Sequence, residues 1–434
     1  MCGFIAYKNN TDLSPGQILE SIAYRGLDGF HGTTDDGEHT FSHVALPFVN
    51  LDPQIATQPL TGFATPSLFV GEIFNYDKFF ATDGDYANHV FHNEGLDGFH
   101  RFDGFWSFIT KVDGSLIGVT DYLAQKPIYY RTDVEAMASE IDVLRSFGPT
   151  TVDEVFVSNT MKWGYSPDPR TPYNEIKQVP PGCYVYEGKI YEYWDWEKIG
   201  YGDLYSDMRT AVERRLGGQR ELSVLLSGGL DSTIIHGLLT DLGRDVTAIH
   251  VDNGEESFAS LVSDDFVSVS LDSVTDEESV AIHQSPVDLG SVKPQIAMAR
   301  KLAELGFHCV LTGDGADELF GGYNRAKEYD SQASDVFVEL PYYHLPKLDR
   351  TMMRSTIELR APFLAPYIVK RALETPYSDR NGEKKVLKRA FADIVPQEIL
   401  DRDKHPLKTD KIRKNPLDQR KVNERIFRAL LAGS

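Results

Sequence analysis

Cysteine is scarce in this sequence, with three residues in 434. Their wide spacing provides neither a disulfide framework nor a set of metal ligands, and it favours a reducing cytoplasm. Positive charge is also short: 44 Lys and Arg face 65 Asp and Glu, and the net charge of −21 argues against general binding to nucleic acid or anionic membranes. No apolar run approaches the roughly 18 residues of a membrane span, and the N-terminus lacks the long apolar core of a secretory signal.

The charge is unevenly distributed. Between Lys384 and Arg428 there are 14 Lys and Arg against 7 Asp and Glu, so this stretch carries +7 and the remainder −28. A solvated helical tail explains this pattern most simply, and a second interpretation is that some of these cations face a polyphosphate. An RNA-binding tail has no aromatic interleaving in its favour.

The two halves of the sequence differ in their pattern of predicted strands and helices. This difference predicts two domains, at residues 1–197 and 198–434. Short apolar runs between Gly, Asp and Pro punctuation predict strands in the first half, at Gly3–Tyr7, Ser67–Phe74, Trp106–Lys111, Ser115–Thr120 and Cys183–Tyr186. In the second half helices and strands alternate, with strands expected at Leu222–Leu226, Val246–Val251 and His308–Leu311. Such alternation predicts a parallel sheet.

A glycine- and hydroxyl-rich string follows the first strand of that sheet. It reads Leu226-Ser227-Gly228-Gly229-Leu230-Asp231-Ser232-Thr233 and opens a predicted helix. Glycines let the backbone approach an anion, and N–H groups at the helix N-terminus attract a phosphate. Asp231 beside a phosphate implies an intervening cation, for which we expect Mg²⁺. The plainer alternative is a glycine-rich turn capped by serines; no Walker A sequence occurs anywhere in the chain.

A second string also follows an apolar strand: Leu311-Thr312-Gly313-Asp314-Gly315-Ala316-Asp317-Glu318-Leu319-Phe320-Gly321-Gly322-Tyr323. It brings three carboxylates to the carboxyl end of the sheet, where ligands bind in such folds. The first string resembles the PP-loop of the ATP-pyrophosphatase superfamily. Both together resemble the synthetase domain of asparagine synthetases, as do Glu358–Leu364, where Ala365 replaces the usual final Asp, and Lys384–Phe391.

The resemblance implies roles for particular residues. It implies that ATP and pyrophosphate are bound by Leu226, Ser227, Gly228, Gly229, Asp231, Ser232, Val251 and Gly313, and that Asp231 and Asp317 hold the metal. It further implies catalytic roles for Glu318 and for Lys404, which matches a lysine that neutralises the α-phosphate. A surface lysine in a basic tail is the alternative for Lys404.

Cys2 directly follows the initiator Met. Removing Met1 would leave an α-amine that can act as general base for the thiol of its own residue, as in N-terminal nucleophiles. Tyr24–Gly29, Gly71–Asn75 and Thr82-Asp83 resemble segments of class II glutamine amidotransferases. That resemblance makes Cys2 the nucleophile, and it implies that Arg25, Gly71, Glu72 and Asp83 bind glutamine.

Two positions depart from the family pattern. Val70 stands where an Asn helps to form the oxyanion hole, and Ala45 stands where an Arg grips the glutamine carboxylate. Losing one oxyanion donor typically costs about 2.7–4 kcal/mol of barrier. We therefore expect weakened glutaminase activity, with ammonia as the practical donor unless Arg25 or another cation compensates.

The resemblance implies an α+β N-terminal-nucleophile αββα sandwich followed by an α/β PP-loop domain. It also implies ATP- and Mg²⁺-dependent synthesis of asparagine from aspartate, with glutamine or ammonia as nitrogen donor, through a β-aspartyl-adenylate. Alternatives are a ligase for another carboxylate and a nucleotide-sensing pseudoenzyme. We expect no nucleic-acid or membrane partner, and a homodimer stays open.

Overall fold

The computed structural model describes residues 2–9, 14–48, 51–217, 221–252, 254, 256–270, 274–285, 289–402 and 416–433. The chain forms two compact units. The first contains Met1–Lys198 and Pro341–Asp349, and the second contains Ile199–Leu340 and Arg350–Ser434. None of the described helices is long and apolar enough to cross a membrane.

Unit 1 is built on two antiparallel sheets. Its strands are β1 (Gly3–Lys8), β2 (His31–Asp35), β3 (His39–Val44), β4 (Leu68–Ile73), β5 (Gly104–Val112), β6 (Ser115–Thr120), β7 (Tyr129–Arg131), β8 (Ala136–Ala138), β9 (Ile176–Gln178), β10 (Cys183–Tyr186) and β11 (Lys189–Glu192). Its helices are α1 (Pro15–Ile22), α2 (Pro53–Ala56), α3 (Asp83–Glu94), α4 (Ile141–Arg145) and α5 (Glu154–Trp163). The strand orders are β2-β3-β1-β8-β7-β9 and β11-β10-β6-β5-β4.

The two sheets share an apolar core. Phe4 and Phe41 of the first sheet belong to the same buried cluster as Val70 and Ile109 of the second. The outer face of the second sheet packs in another cluster with Ala87 and other residues of α3. Helix α1 packs on β3 of the first sheet. Sheet faces buried on both sides in this way give four layers, and the predicted αββα sandwich is confirmed.

Unit 2 is built on one parallel sheet. Its strands are β12 (Ser223–Leu225), β13 (Thr247–Val251), β14 (Phe266–Val269), β15 (Cys309–Leu311) and β16 (Glu358–Arg360). The remaining helices are α6 (Leu204–Arg214), α7 (Leu230–Asp241), α8 (Glu256–Ala259), α9 (Asp276–His283), α10 (Leu289–Glu304), α11 (Ala316–Phe320), α12 (Gln332–Ser334), α13 (Leu345–Met353), α14 (Pro366–Glu374), α15 (Tyr377–Arg380), α16 (Lys385–Ala390), α17 (Gln397–Leu400) and α18 (Pro416–Gly433).

The strand order β14-β13-β12-β15-β16 confirms the predicted parallel sheet. From β12 the chain first builds towards β13 and β14, and then returns to add β15 and β16 on the other side. The strand order therefore reverses between β12 and β15. In open α/β sheets, the crevice at the carboxyl ends of such a strand pair is where ligands bind.

One segment from the second half of the sequence belongs to unit 1. Residues Pro341–Asp349 cover the end of a π-helical stretch, Asp335–His344, and the start of α13. The Pro341 carbonyl accepts a hydrogen bond of 3.1 Å from the side chain of Gln178, and the Tyr343 ring stacks on Tyr165 with centroids 5.4 Å apart. The sequence contains no signal for this assignment, because it depends on contacts between residues far apart in the chain.

Candidate functional site

The loop after β12 is held closed by its own hydroxyl groups. The Ser227 N–H donates to Ser232 Oγ at 3.2 Å, and the two hydroxyl oxygens are 3.0 Å apart. Gly228 has a φ of +69°, and a methyl group there would lie 2.8 Å from the Ala259 nitrogen, so this turn requires glycine. Gly229 forms the N-cap of α7. Backbone N–H groups of the first turn of α7 are therefore presented at the reversal of the sheet, as a phosphate site requires.

The second motif lies directly against this loop. A methyl group at Gly313 would approach Asp231 Cβ to 2.7 Å and the Ser232 nitrogen to 3.0 Å. Glycine at this position lets the chain leaving β15 approach the N-terminus of α7. The structure thus brings the two strings together at the carboxyl ends of adjacent strands.

The carboxylates of Asp231 and Asp317 contact one ammonium group. Lys384 Nζ lies 2.6 Å from both oxygens of Asp231 and also forms an ion pair with Asp317. Burial opposes the charge of Lys384, but the two carboxylates raise its pKa above the usual value. Lys384 has a φ of +50°, which is uncommon for a residue with a side chain. A strained backbone that places a buried cation between two carboxylates is typical of a functional site.

Asp231 and Asp317 fit Mg²⁺ as oxygen donors, because both converge on the position of a cation. Within the described residues, no group of three or more His, Cys, Asp or Glu side chains could hold a metal ion. A site of two carboxylates is still suitable, since Mg²⁺ in nucleotide sites is commonly held by one or two carboxylates together with substrate phosphates. The metal assignment stays a prediction.

Glu318 follows Asp317 in α11 but has a different partner. Its buried carboxylate accepts a hydrogen bond from the Tyr323 hydroxyl. Burial, and then the charges of Glu318 and Asp317, raise the pKa of Tyr323 well above its usual value. A methyl group at Gly322 would lie 1.8 Å from Asp317 Oδ1, so glycine at position 322 leaves the room that this carboxylate occupies.

The remaining predicted ATP residues flank the loop. Val251 is the last residue of β13 and is buried, as is Leu226, whose carbonyl lies 2.8 Å from His250 Nδ1. Lys404 lies outside the described residues, and its catalytic role stays a prediction. Two residues before it, Arg402 donates to the Gly228 carbonyl at 3.0 Å.

Sequence reasoning missed Lys384, Arg402 and Tyr323 as parts of this site. The sequence does contain a signal for Lys384 and Arg402, because both lie in the basic stretch from Lys384 to Arg428. One interpretation of that stretch is that some of its cations face a polyphosphate. Lys384 faces the two carboxylates of the predicted phosphate site. Tyr323 gave no separate signal beyond its place at the end of the second motif.

In unit 1, Cys2 is half-buried and packs against the apolar core between the sheets. Its carbonyl accepts a hydrogen bond of 3.2 Å from Arg25 Nε. The guanidinium of Arg25 also contacts Glu140 and, at 2.7 Å, Asp349 Oδ2. The role of Arg25 in glutamine binding stays a prediction, and in the structure its polar contacts are with the protein.

Gly71, Glu72 and Asp83 are gathered at the end of β4. Asp83 Oδ2 accepts a hydrogen bond of 2.9 Å from the Ile73 N–H, which fixes the start of α3 beside this strand. Gly71 has a φ of +125°, and a methyl group there would lie 1.9 Å from the Phe105 carbonyl oxygen on β5. Glu72 and Asp83 are both largely buried carboxylates, suited to an ammonium group.

The two departures from the family pattern are buried. Val70 belongs to the apolar cluster against which Cys2 packs, so no amide is presented there. Ala45 is 2% exposed. A cation that sequence reasoning did not single out lies within reach of the charges of Glu72 and Asp83: Lys78, above the Tyr76 ring at 3.4 Å. Partial burial lowers the pKa of Lys78, while the charges of Asp83 and Glu72 oppose this shift, which places its ammonium within their electrostatic reach.

Comparisons with known proteins match both units. A family model described as asparagine synthase matches residues 203–341 and 330–432, and one described as a glutamine amidotransferase domain matches residues 1–194.

The individual relatives have low sequence identity to this chain, but the alignments cover most of it. An asparagine synthetase [glutamine-hydrolyzing] 1 of Arabidopsis thaliana is 24% identical over 486 residues, and a nodule enzyme of the same name from Pisum sativum is 25% identical over 482. Each alignment covers 93% of this chain and 77% of the relative. Among solved structures, a glutamine phosphoribosylpyrophosphate amidotransferase from B. subtilis is 12% identical, with a TM-score of 0.32 over 94% of this chain and 100% of that one. A likeness this low carries no argument.

Proposed function

Because the chain belongs to the asparagine synthase family, we propose that it makes asparagine from aspartate in an ATP-dependent reaction, with nitrogen from glutamine or ammonia. The observation that carries this proposal is the direct approach of Gly313 to Asp231 and Ser232 at the reversal of the parallel sheet. It brings the glycine- and hydroxyl-rich loop and the string with three carboxylates together at the carboxyl ends of two neighbouring strands, in a chain that also carries an N-terminal-nucleophile sandwich.

In the synthetase half, an aspartate carboxylate oxygen attacks the α-phosphorus of ATP, and pyrophosphate leaves. Ammonia then attacks the carbonyl carbon of the adenylate, loses a proton and displaces AMP. The loop N–H groups with Ser227 and Ser232 bind phosphate oxygens, and Lys384 and Lys404 neutralise negative charge. Mg²⁺, held by Asp231 and Asp317, would supply further neutralisation of the pyrophosphate.

In the glutaminase half, removal of Met1 frees the α-amine of Cys2, which takes the thiol proton. The thiolate attacks the glutamine amide carbon, the protonated α-amine returns this proton to the amide nitrogen, and ammonia leaves; water then hydrolyses the glutamyl thioester. Glu72 and Asp83 bind the substrate ammonium group, and the backbone of Gly71 binds the amide.

The test of the acceptor is asparagine formation from isotopically labelled aspartate, with pyrophosphate release measured in parallel. We expect one pyrophosphate per asparagine, little response to glutamate, and loss of both products in Asp231→Asn and Asp317→Asn. A site built for the side-chain length of aspartate leaves polar groups unpaired when it binds the longer glutamate. If another carboxylic acid stimulates pyrophosphate release and aspartate does not, the acceptor assignment is wrong.

We further propose that ammonium outperforms glutamine as the donor. The side chain of Val70 offers no hydrogen-bond donor to an oxyanion, and that of Ala45 offers no charge to the glutamine carboxylate. Both residues belong to unit 1, so they should not affect synthesis from ammonium in the synthetase unit. Product formed per turnover with each donor at saturation measures the difference. Cys2→Ala should abolish only glutamine-dependent synthesis, and equal use of both donors by the unaltered protein would refute this interpretation of the pocket.

A further inference from the structure

Arg25 is one of the most deeply buried charged residues of unit 1, with 1% of its surface exposed. Each nitrogen of its guanidinium has a partner within the protein. Nε donates to the Cys2 carbonyl at 3.2 Å, Nη1 donates to Glu140, and Nη2 donates to Asp349 Oδ2 at 2.7 Å. Arg25 thus connects the backbone of the predicted nucleophile to two carboxylates.

The charges around Arg25 are balanced. Asp349 also accepts a hydrogen bond of 3.1 Å from Lys126 Nζ, so two cations face two carboxylates. Burial opposes the charge of Asp349, but Arg25 and Lys126 hold its pKa down at about 2. Burial likewise opposes the charge of Arg25, and Asp349 and Glu140 raise its pKa well above the usual value. The group is therefore a fixed ionic network at neutral pH.

The stem of Arg25 lies against the backbone that follows Cys2. A methyl group at Gly3 would lie 3.2 Å from Arg25 Cδ and 3.0 Å from Val44 Cγ2. Glycine at position 3 admits this close approach. The Arg25 side chain therefore contacts the chain on both sides of the Cys2–Gly3 peptide, through a hydrogen bond to the Cys2 carbonyl and through packing at Gly3.

We infer that Asp349 is a positioning residue for glutamine hydrolysis, which holds Arg25 so that Arg25 orients Cys2. This inference rests on the proposed role of Cys2. It assigns a part of the glutaminase apparatus to a residue that lies far from the amidotransferase motifs in the sequence, in the segment Pro341–Asp349 of unit 1. It also assigns Arg25 to the nucleophile and not to the substrate, because its described hydrogen bonds are made to Cys2, Glu140 and Asp349.

The test is Asp349→Asn in the full-length protein, assayed for glutaminase kcat and KM. A small displacement of a reacting group can cost roughly a hundredfold in rate, so we expect kcat to fall about tenfold to a hundredfold with KM nearly unchanged. Asp349→Glu, which restores the charge, should recover part of kcat. The pH dependence of Cys2 alkylation by iodoacetamide should also shift, because Arg25 would no longer hold the carbonyl and the amine of Cys2 in the same position.

Asp153→Asn is a matched control in the same unit. Asp153 is 1% exposed and accepts from one arginine and one lysine, Arg170 at 2.9 Å and Lys177 at 3.4 Å, but has no described contact with Cys2 or Arg25. An Asn there can still cap α5. We expect Asp153→Asn to lose stability without a selective loss of glutaminase kcat.

The outcomes separate the inference from the proposed function. Glutaminase activity that survives in Cys2→Ala would refute the proposed function. If Cys2→Ala is inactive and Asp349→Asn behaves like Asp153→Asn, the inference alone is wrong; a raised KM at constant kcat would likewise overturn it, since it would place Arg25 on the substrate. If Asp349→Asn does not fold, Glu140→Gln removes the other carboxylate from Arg25 and is judged by the same criteria.

Discussion

Lys384→Met would remove an ammonium group that lies between two carboxylates and leave a side chain of similar length. Lys384 Nζ is 2.6 Å from both oxygens of Asp231 and contacts Asp317, and its side chain is 8% exposed. Breaking a fully buried pair by removing one partner costs about 3–5 kcal/mol. The two carboxylates keep 23% and 24% of their side-chain exposure, so water recovers part of this cost. We expect a loss of about 2–3 kcal/mol in the free energy of unfolding.

The same change should make stability depend on divalent cations. Without the ammonium, the carboxylates of Asp231 and Asp317 repel each other, and a bound Mg²⁺ would relieve this repulsion. A ligand at 100 times its dissociation constant stabilises the folded state by about 2.7 kcal/mol. MgCl₂ without ATP should therefore raise the unfolding temperature of Lys384→Met more than that of the unaltered protein.

Thermal and urea unfolding with MgCl₂ or EDTA measure both effects. Lys385→Met is the matched control, because this neighbouring lysine is 44% exposed and pairs only with the exposed Glu383 among its described contacts. Surface ion pairs of this kind contribute roughly 0–1 kcal/mol. An equal loss in both variants, or a Lys384→Met protein that ignores Mg²⁺, would refute the assignment of this position to a cation site.

Three further predictions concern unit 1. Gly71→Ala should lower the free energy of unfolding by more than about 3 kcal/mol, because its methyl group would lie 1.9 Å from a backbone oxygen. The control is Gly62→Ala, where a methyl group meets nothing within 4 Å; in the same urea titration its free energy of unfolding should change by no more than about 0.5 kcal/mol. Since the pKa of Asp349 is lowered to about 2, its ionised form should contribute roughly 2 kcal/mol above the ordinary Asp pKa, lost as the pH falls towards 2. In Asp349→Asn the free energy of unfolding, measured with urea, should depend less on pH over that range. An unchanged pH dependence would exclude this carboxylate as the source of the lost stability. Lys78→Met should raise the KM for glutamine and leave ammonia-dependent synthesis intact; an unchanged KM would exclude Lys78 as a substitute for the missing arginine.

Much of the fold has a local signal in the sequence. The observed strands Ser115–Thr120 and Cys183–Tyr186 have the bounds that the sequence predicts, and the strands before the two motifs of the predicted phosphate site lie within a residue or two of their predicted bounds. Apolar runs between turn residues, and the alternation of helix with strand, are local patterns. Strand β16 escaped prediction because Glu358 and Arg360 are charged. They are buried as an ion pair of 2.9 Å, and Arg360 Nη1 also donates to the Arg215 carbonyl at 2.6 Å, a partner that only the folded chain provides.

The sequence by itself determined the two fold classes, through local strand and helix patterns and through the resemblance of its short motifs to known families. It also determined the motifs of the predicted phosphate and glutamine sites, because glycines, hydroxyls and carboxylates at short spacing are recognisable within a short segment of chain. Only the tertiary structure decided which distant charges meet. Lys384 lies between Asp231 and Asp317, and Asp349 lies against Arg25, because strand order and packing bring these segments together. A buried charge needs a partner of opposite sign, but that requirement does not specify which of the 44 cations or 65 anions of the chain will supply it. Long-range packing makes that choice, and it carries no signal in the local pattern of residues.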